Sequence, residues 1–240
     1  MEYTVTDIRI SYQEKMLKER KKSFFMYSIY RPISFYLTPA FLKCHISANL
    51  VTLIGLLILS TFPVVSVFGG EFAYLYVALL AFSFLTLDCV DGNISRITGS
   101  SSAFGQYLDS FAGNVFWVLL YFSVGLLTRY GKDVSSFFVE WGVVFGLLSA
   151  LFDILGRESR AYVKLNLRNI LPEYYPESKS SLSLFMSILS GFRHTIPFLL
   201  VIFGYLNFLN VLLVLVFVYS IFRFFYSELR IFFQLSMKNK

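Results

Sequence analysis

Long apolar runs separated by short polar stretches dominate the chain. A helix needs about 20 apolar residues to cross a bilayer. Six runs reach that length, at roughly residues 48–68, 72–94, 105–128, 135–156, 184–206 and 208–228. The pattern predicts an all-α integral membrane protein with six transmembrane helices. Ahead of the first run, residues 6–26 ("TDIRISYQEKMLKERKKSFFM") interleave charged and apolar positions, which predicts an N-terminal amphipathic helix lying at the membrane interface. Arg31-Pro32 interrupts that pattern, and "ISFYLTPAFLK" reads as a second short interfacial piece. The expected organisation is an N-terminal interfacial segment over 1–46, a single six-helix membrane domain over 47–230 and a tail over 231–240.

Composition agrees with that pattern. Of the 240 residues 56% are hydrophobic and only 15% charged, and the mean hydropathy is +0.64; this is not the balance of a soluble domain. The polar, charged N-terminus predicts no cleavable signal peptide. Cys44 and Cys89 lie far apart without metal-ligand spacing, so no disulfide framework is expected. The net charge of +6 raises nucleic acid as a partner, but its distribution points to topology instead. With the N-terminus in the cytoplasm, 19 Lys and Arg fall on the cytoplasmic side and 2, Arg129 and Lys132, on the other. That asymmetry predicts a multi-pass protein of the cell membrane with both termini cytoplasmic. The basic residues then serve orientation and contact with membrane lipids, and no nucleic-acid partner is expected.

Candidate chemistry begins where the second run ends, at "LDCVDGNISR" (87–96). Asp88 and Asp91 share a helix face, Gly92 and Ser95 lie on or near it, and Arg96 stands two turns beyond Asp88. The third run opens "GQYLDSFAG", with Gly105, Asp109 and Gly113 spaced by four. The short link "ITGSSSAF" predicts that the two helices are antiparallel neighbours, which would bring Asp88, Asp91 and Asp109 together near the cytoplasmic end. Ionisable groups inside spans are costly and usually functional. Clustered carboxylates call for a hard cation, Mg²⁺ or Mn²⁺, with Ca²⁺ as a further option. A transporter would also use intramembrane carboxylates, but near the midplane and often on broken helices.

The run Asp88-x-x-Asp91-Gly92-x-x-Ser95-Arg96, eight residues, then Gly105-x-x-x-Asp109-x-x-x-Gly113 resembles the signature of the CDP-alcohol phosphotransferase family, D-x-x-D-G-x-x-A-R followed by G-x-x-x-D-x-x-x-D. Ser95 replaces the usual Ala. The upstream segment from Arg31, with Asn49 and Thr52 before the first run, also resembles the family. The resemblance covers about residues 31–125. It implies a six-helix membrane enzyme, commonly a homodimer. Such an enzyme binds a CDP-linked alcohol through divalent metal at the cytoplasmic face, transfers a substituted phosphate to an acceptor, and releases CMP. It further implies Asp88, Asp91 and Asp109 as metal ligands, Asp109 among the catalytic groups, and Asn49, Thr52, Asp88, Gly92, Ser95, Arg96 and Gly105 around the nucleotide.

The departure is at Gly113, where the family carries a fourth aspartate that serves as metal ligand and base. Loss of a general base typically forfeits 10² to 10⁴ in rate. Three expectations follow. An acceptor that is already anionic, a lipid or a phosphorylated small molecule, needs no base; Arg157, Arg160, Lys164, Arg193 and His194 then form its binding group. Alternatively, Asp153 in "LLSALFDILG" substitutes as the base, a buried carboxylate being more basic than an exposed one. Or the chain binds nucleotide or lipid without transferring anything. The glycosylation sequon Asn93-Ile94-Ser95 lies inside the motif and is discounted. Tyr174-Tyr175-Pro176 in the long polar connection reads as an interfacial anchor or a lid.

Overall fold

The structure is a computed structural model that describes residues 3–22, 25–131, 135–167 and 191–238. All its regular elements are helical. Helix α1 (Val5–Lys22) starts with a reciprocal cap. The Thr4 N–H and hydroxyl donate to the Asp7 carboxylate at 2.8 and 2.7 Å, and the Asp7 N–H donates back at 3.3 Å. These bonds hold the Asp7 carboxyl below its ordinary pKa. A π-helical turn (Met26–Tyr30) leads into α2 (Arg31–Lys43), whose Pro32 sits in the first turn, where a missing N–H costs nothing.

The first expected span is two helices, α3 (Ala48–Ser60) and α4 (Phe62–Phe68), broken at Thr61 ahead of Pro63. A 3₁₀ turn (Gly70–Phe72) precedes α5 (Ala73–Thr98), which ends at Gly99 with φ 65°, the left-handed closing position that glycine tolerates. Helix α6 (Ala103–Arg129) is capped by the Ser102 hydroxyl, and α7 covers Ser136–Asn166. A 3₁₀ turn (Arg193–Thr195) opens α8 (Ile196–Tyr205), and α9 (Leu209–Lys238) completes the bundle.

Five candidate spans are long and apolar enough to cross a membrane among the described residues: Ala48–Phe68, Gly70–Thr98, Ala103–Arg129, Ser136–Asn166 and Leu209–Met237. The expected span 184–206 lies partly outside the described residues, with α8 its described part. The expected tail boundary at 230 falls inside α9.

The N-terminal helix is present, but its apolar and charged residues are not sorted onto opposite faces. Ile8 and Tyr12 are buried against Phe35 of α2, with Ile97 of α5 alongside. The protein itself takes up these two side chains, while Ile10 of the same helix stays exposed.

Helix α6 packs most extensively on α7, and α7 on α9. The α6–α7 approach depends on glycine. A Cβ on Gly146 would stand 2.7 Å from the Tyr121 carbonyl, and one on Gly125 would stand 2.6 Å from the Gly142 carbonyl. Helices α5 and α6 are in direct contact, and α3 packs on each of them more extensively than they pack on each other. The central core includes Phe84 stacked on Phe116 at 4.7 Å, with Phe62 and Trp117 edge-on to Phe116. Many apolar side chains of α7 and α9 face outward, among them Leu147, Leu151, Val214 and Val218, as lipid-facing surface requires.

Candidate active site

A pocket of about 400 Å³ opens among α2, α3, α5 and α6. Its walls are Arg31 of α2, Ala48, Asn49 and Thr52 of α3, Asp88, Asp91, Gly92, Ser95 and Arg96 of α5, Ser100 to Ser102, and Gly105, Gln106 and Asp109 of α6. Every residue that the sequence assigned to nucleotide or metal lines it.

The carboxylates differ in setting. Asp91 is buried, and the Thr52 hydroxyl donates to its Oδ2 at 2.7 Å, so α3 orients this α5 side chain. Asp88 is half-buried and Asp109 exposed; both lie within electrostatic range of Asp91. Among the described residues no three His, Cys, Asp or Glu side chains already stand close enough to grip one ion. The carboxylates are spread around the pocket wall rather than gathered into a formed cage. Their hard oxygen chemistry, together with the Thr52 hydroxyl orienting Asp91, nonetheless fits a divalent cation.

The glycines of the motif admit protein side chains. A Cβ on Gly92 would meet Arg96 Nη1 at 3.1 Å, so this glycine makes room for the guanidinium one turn on. A Cβ on Gly105 would come within 2.9 Å of Asn49 Oδ1, so Gly105 lets the Asn49 side chain of α3 reach across to α6.

Sequence reading missed three residues around the pocket. Asn93 is fully buried. It accepts from Arg96 Nη2 at 2.6 Å and donates to the Ser34 and Thr38 hydroxyls of α2 at 3.0 and 3.1 Å. Those hydroxyls donate in turn to backbone carbonyls of their own helix, which satisfies the chain of donors. Arg31 donates to the Cys89 carbonyl at 3.1 Å. Tyr12 lies beside both guanidiniums.

The candidate acceptor residues belong to α7 and to the Arg193–Thr195 turn, and Arg157 reaches α6 at Gly113. Gly113 is one turn beyond Asp109, about 6 Å along the axis, and its carbonyl accepts from Arg157 Nη1 at 3.1 Å. A Cβ there would lie 3.7 Å from Arg157 Nη2. A guanidinium thus lies beside Gly113, the position where a fourth carboxylate was the expectation. Arg157, Arg193 and the unanticipated Arg223 interact electrostatically with one another and with Asp153.

Asp153 is paired with Arg223 at 3.2 Å, its side chain 2% exposed, and does not line the pocket. Arg223 also donates to the Tyr219 hydroxyl at 3.1 Å. Arg193 lies over the Trp117 ring at 4.9 Å, and its Nε and Nη1 are buried without a hydrogen-bond partner among the described residues. His194 packs edge-on against Trp117, and its carbonyl accepts from Tyr30. Arg160 packs beside Gly156, whereas Lys164 is exposed. The structure therefore gathers Arg157 and Arg193, leaves Lys164 outside that cluster and adds Arg223. Tyr174 to Pro176 lie outside the described residues.

Residues 45–216 match the family model described as CDP-alcohol phosphatidyltransferase. Comparison with curated proteins and with solved structures found no match.

Proposed function

The chain belongs to the CDP-alcohol phosphatidyltransferase family, and from that premise we propose a membrane transferase that moves a substituted phosphate from a CDP-linked alcohol to an acceptor at the cytoplasmic face. The observation that carries this reading is the collection of Asn49, Thr52, Asp88, Asp91, Gly92, Ser95, Arg96, Gly105 and Asp109 around one pocket. The acceptor oxygen attacks the phosphorus that bears the alcohol. The bond from that phosphorus to the bridging oxygen breaks, and CMP leaves with the electron pair. Asp88, Asp91 and Asp109 would hold Mg²⁺ or Mn²⁺, which when bound supplies charge neutralisation for the diphosphate and the leaving CMP. Arg31 and Arg96 bring two further positive charges to the same wall, suited to phosphate oxygens. Asn93, fixed by two hydroxyls of α2, aims Arg96.

The acceptor in this reading is anionic, a lipid or a phosphorylated small molecule. Three guanidiniums, those of Arg157, Arg193 and Arg223, surround Asp153, with Glu158 acting on Arg157 as well. An anion entering beside Gly113 would meet Arg157 and would need no base. Asp153, held by Arg223, is less suited to substitute as one. Orientation with both ends in the cytoplasm, six spans, the interfacial position of α1 and assembly as a homodimer belong to the same proposal, supported by the 19-to-2 charge asymmetry and by the family. The domain limits 1–46, 47–230 and 231–240 stand within it as approximate.

Gly113 also favours a second reading, a homologue that binds CDP or lipid without transfer. One experiment separates the two. Protein in detergent is titrated with CMP and CDP in Mg²⁺ or Mn²⁺, with and without chelator, and membranes are given a panel of labelled CDP-alcohols with candidate acceptors. Cation-dependent binding together with CMP release and a new lipid product supports the transferase. Binding without release from any donor supports the second reading, and no cation-dependent nucleotide binding would sink the transferase and the CDP-binding form of the second reading.

A further inference from the structure

Helix α1 lies outside the segment matched by the family model, which starts at residue 45, yet one of its side chains reaches the pocket arginines. Tyr12 is 2% exposed and packs on Phe35 at 5.6 Å. The guanidinium carbon of Arg31 lies 4.7 Å from its ring centroid and that of Arg96 lies 5.3 Å from it. Both arginines line the pocket. They come from different helices, α2 and α5; Arg31 donates to the Cys89 carbonyl and Arg96 to Asn93 Oδ1. Two like charges brought to one wall repel each other. An aromatic ring within about 6 Å offers both an attractive surface, more effective where water is excluded. The Tyr12 hydroxyl is buried without a hydrogen-bond partner among the described residues. No hydrogen bond of that hydroxyl therefore accounts for an aromatic residue at this position, whereas the ring makes both contacts.

We propose that Tyr12 is a positioning residue of the pocket: its ring, brought in by docked α1, holds Arg31 and Arg96 as a paired cationic wall for the phosphates of the nucleotide ligand. The N-terminal helix is then part of the binding site rather than only a membrane-surface segment. This inference rests on the nucleotide reading of the pocket. It assigns the ring the work and the hydroxyl none.

The test compares full-length wild type with Tyr12→Phe and Tyr12→Leu. Dissociation constants for CMP and for inorganic pyrophosphate in Mn²⁺, and the melting temperature in detergent, are measured for each. Tyr12→Phe should match wild type. Tyr12→Leu keeps an apolar side chain of similar burial but has no ring. It should bind both ligands about tenfold more weakly, the loss of about one desolvated cation–π contact, while melting within a few degrees of Tyr12→Phe. Should Tyr12→Leu fail to fold, Tyr12→Met takes its place with the same expectation.

Equal affinities of wild type and the ringless variant overturn the proposal. A Tyr12→Phe protein as weak as Tyr12→Leu also overturns it, because the hydroxyl would then be the active group. Wild type that binds pyrophosphate but not CMP overturns only the nucleotide reading, and Tyr12 is then judged on pyrophosphate. Wild type that binds neither overturns both.

Discussion

At the scale of single residues, the pocket makes separable demands. Asp88→Asn, Asp91→Asn and Asp109→Asn each remove a negative charge from the wall. Each should abolish cation-dependent CDP binding in a titration while expression stays near normal. Gly105→Ala is subtler. The new methyl would press on Asn49 Oδ1, the end of a side chain that can rotate away. The expected outcome is a stability change within about 1 kcal/mol and a nucleotide affinity lower by roughly tenfold, read by calorimetry. Gly113→Asp tests the acceptor. Its Cβ is tolerated, at 3.7 Å from Arg157 Nη2, and the carboxylate would neutralise that guanidinium. At about 4 Å and an effective dielectric near 20, a new charge acts on an incoming anion by about 4 kcal/mol before screening. Turnover with an anionic acceptor should therefore fall by tenfold or more, and Arg157→Ala should raise the acceptor KM. A rise in turnover for Gly113→Asp would point instead to a hydroxyl acceptor that lacks its base.

At the scale of elements, glycine separates packing from chemistry along the same helix pair. Gly146 of α7 faces the Tyr121 carbonyl of α6 so closely that any side chain must part the helices. Gly146→Val should lower the thermal midpoint in detergent by several degrees, an overpacking cost of about 1–3 kcal/mol, whereas Gly113→Ala should leave it nearly unchanged. What the sequence disclosed follows the same division. The carboxylate register on α5 and α6 was legible because it depends only on helical spacing. The contact of α5 with α6 was legible from the short link, but the link does not reveal a third helix, α3, packed more extensively against both. The contacts that Asn93, Arg31, Tyr12 and Arg223 make with other elements stayed hidden because no periodicity marks them. Thr61 and Pro63 break the first span inside an unbroken apolar run, where hydropathy alone gives no boundary.

For the whole molecule, the charge asymmetry yields a topology that labelling can check. In a chain with Cys44 and Cys89 replaced by serine, single cysteines at Ser180 and at the C-terminus should react with an impermeant reagent only from the cytoplasmic side. One at Lys132 should react only from the opposite side. Reaction of Ser180 and Lys132 from one side would refute six spans with both ends inside. The contact between Tyr12 and Arg96 also orders events during synthesis. α1 leaves the ribosome before α5, and the arginine on α5 follows Tyr12 by more than eighty residues. At about 5–20 residues per second, the N-terminal helix must wait on the order of ten seconds for its seat. Nascent chains stalled before Arg96 emerges should keep α1 open to protease, and release should close it.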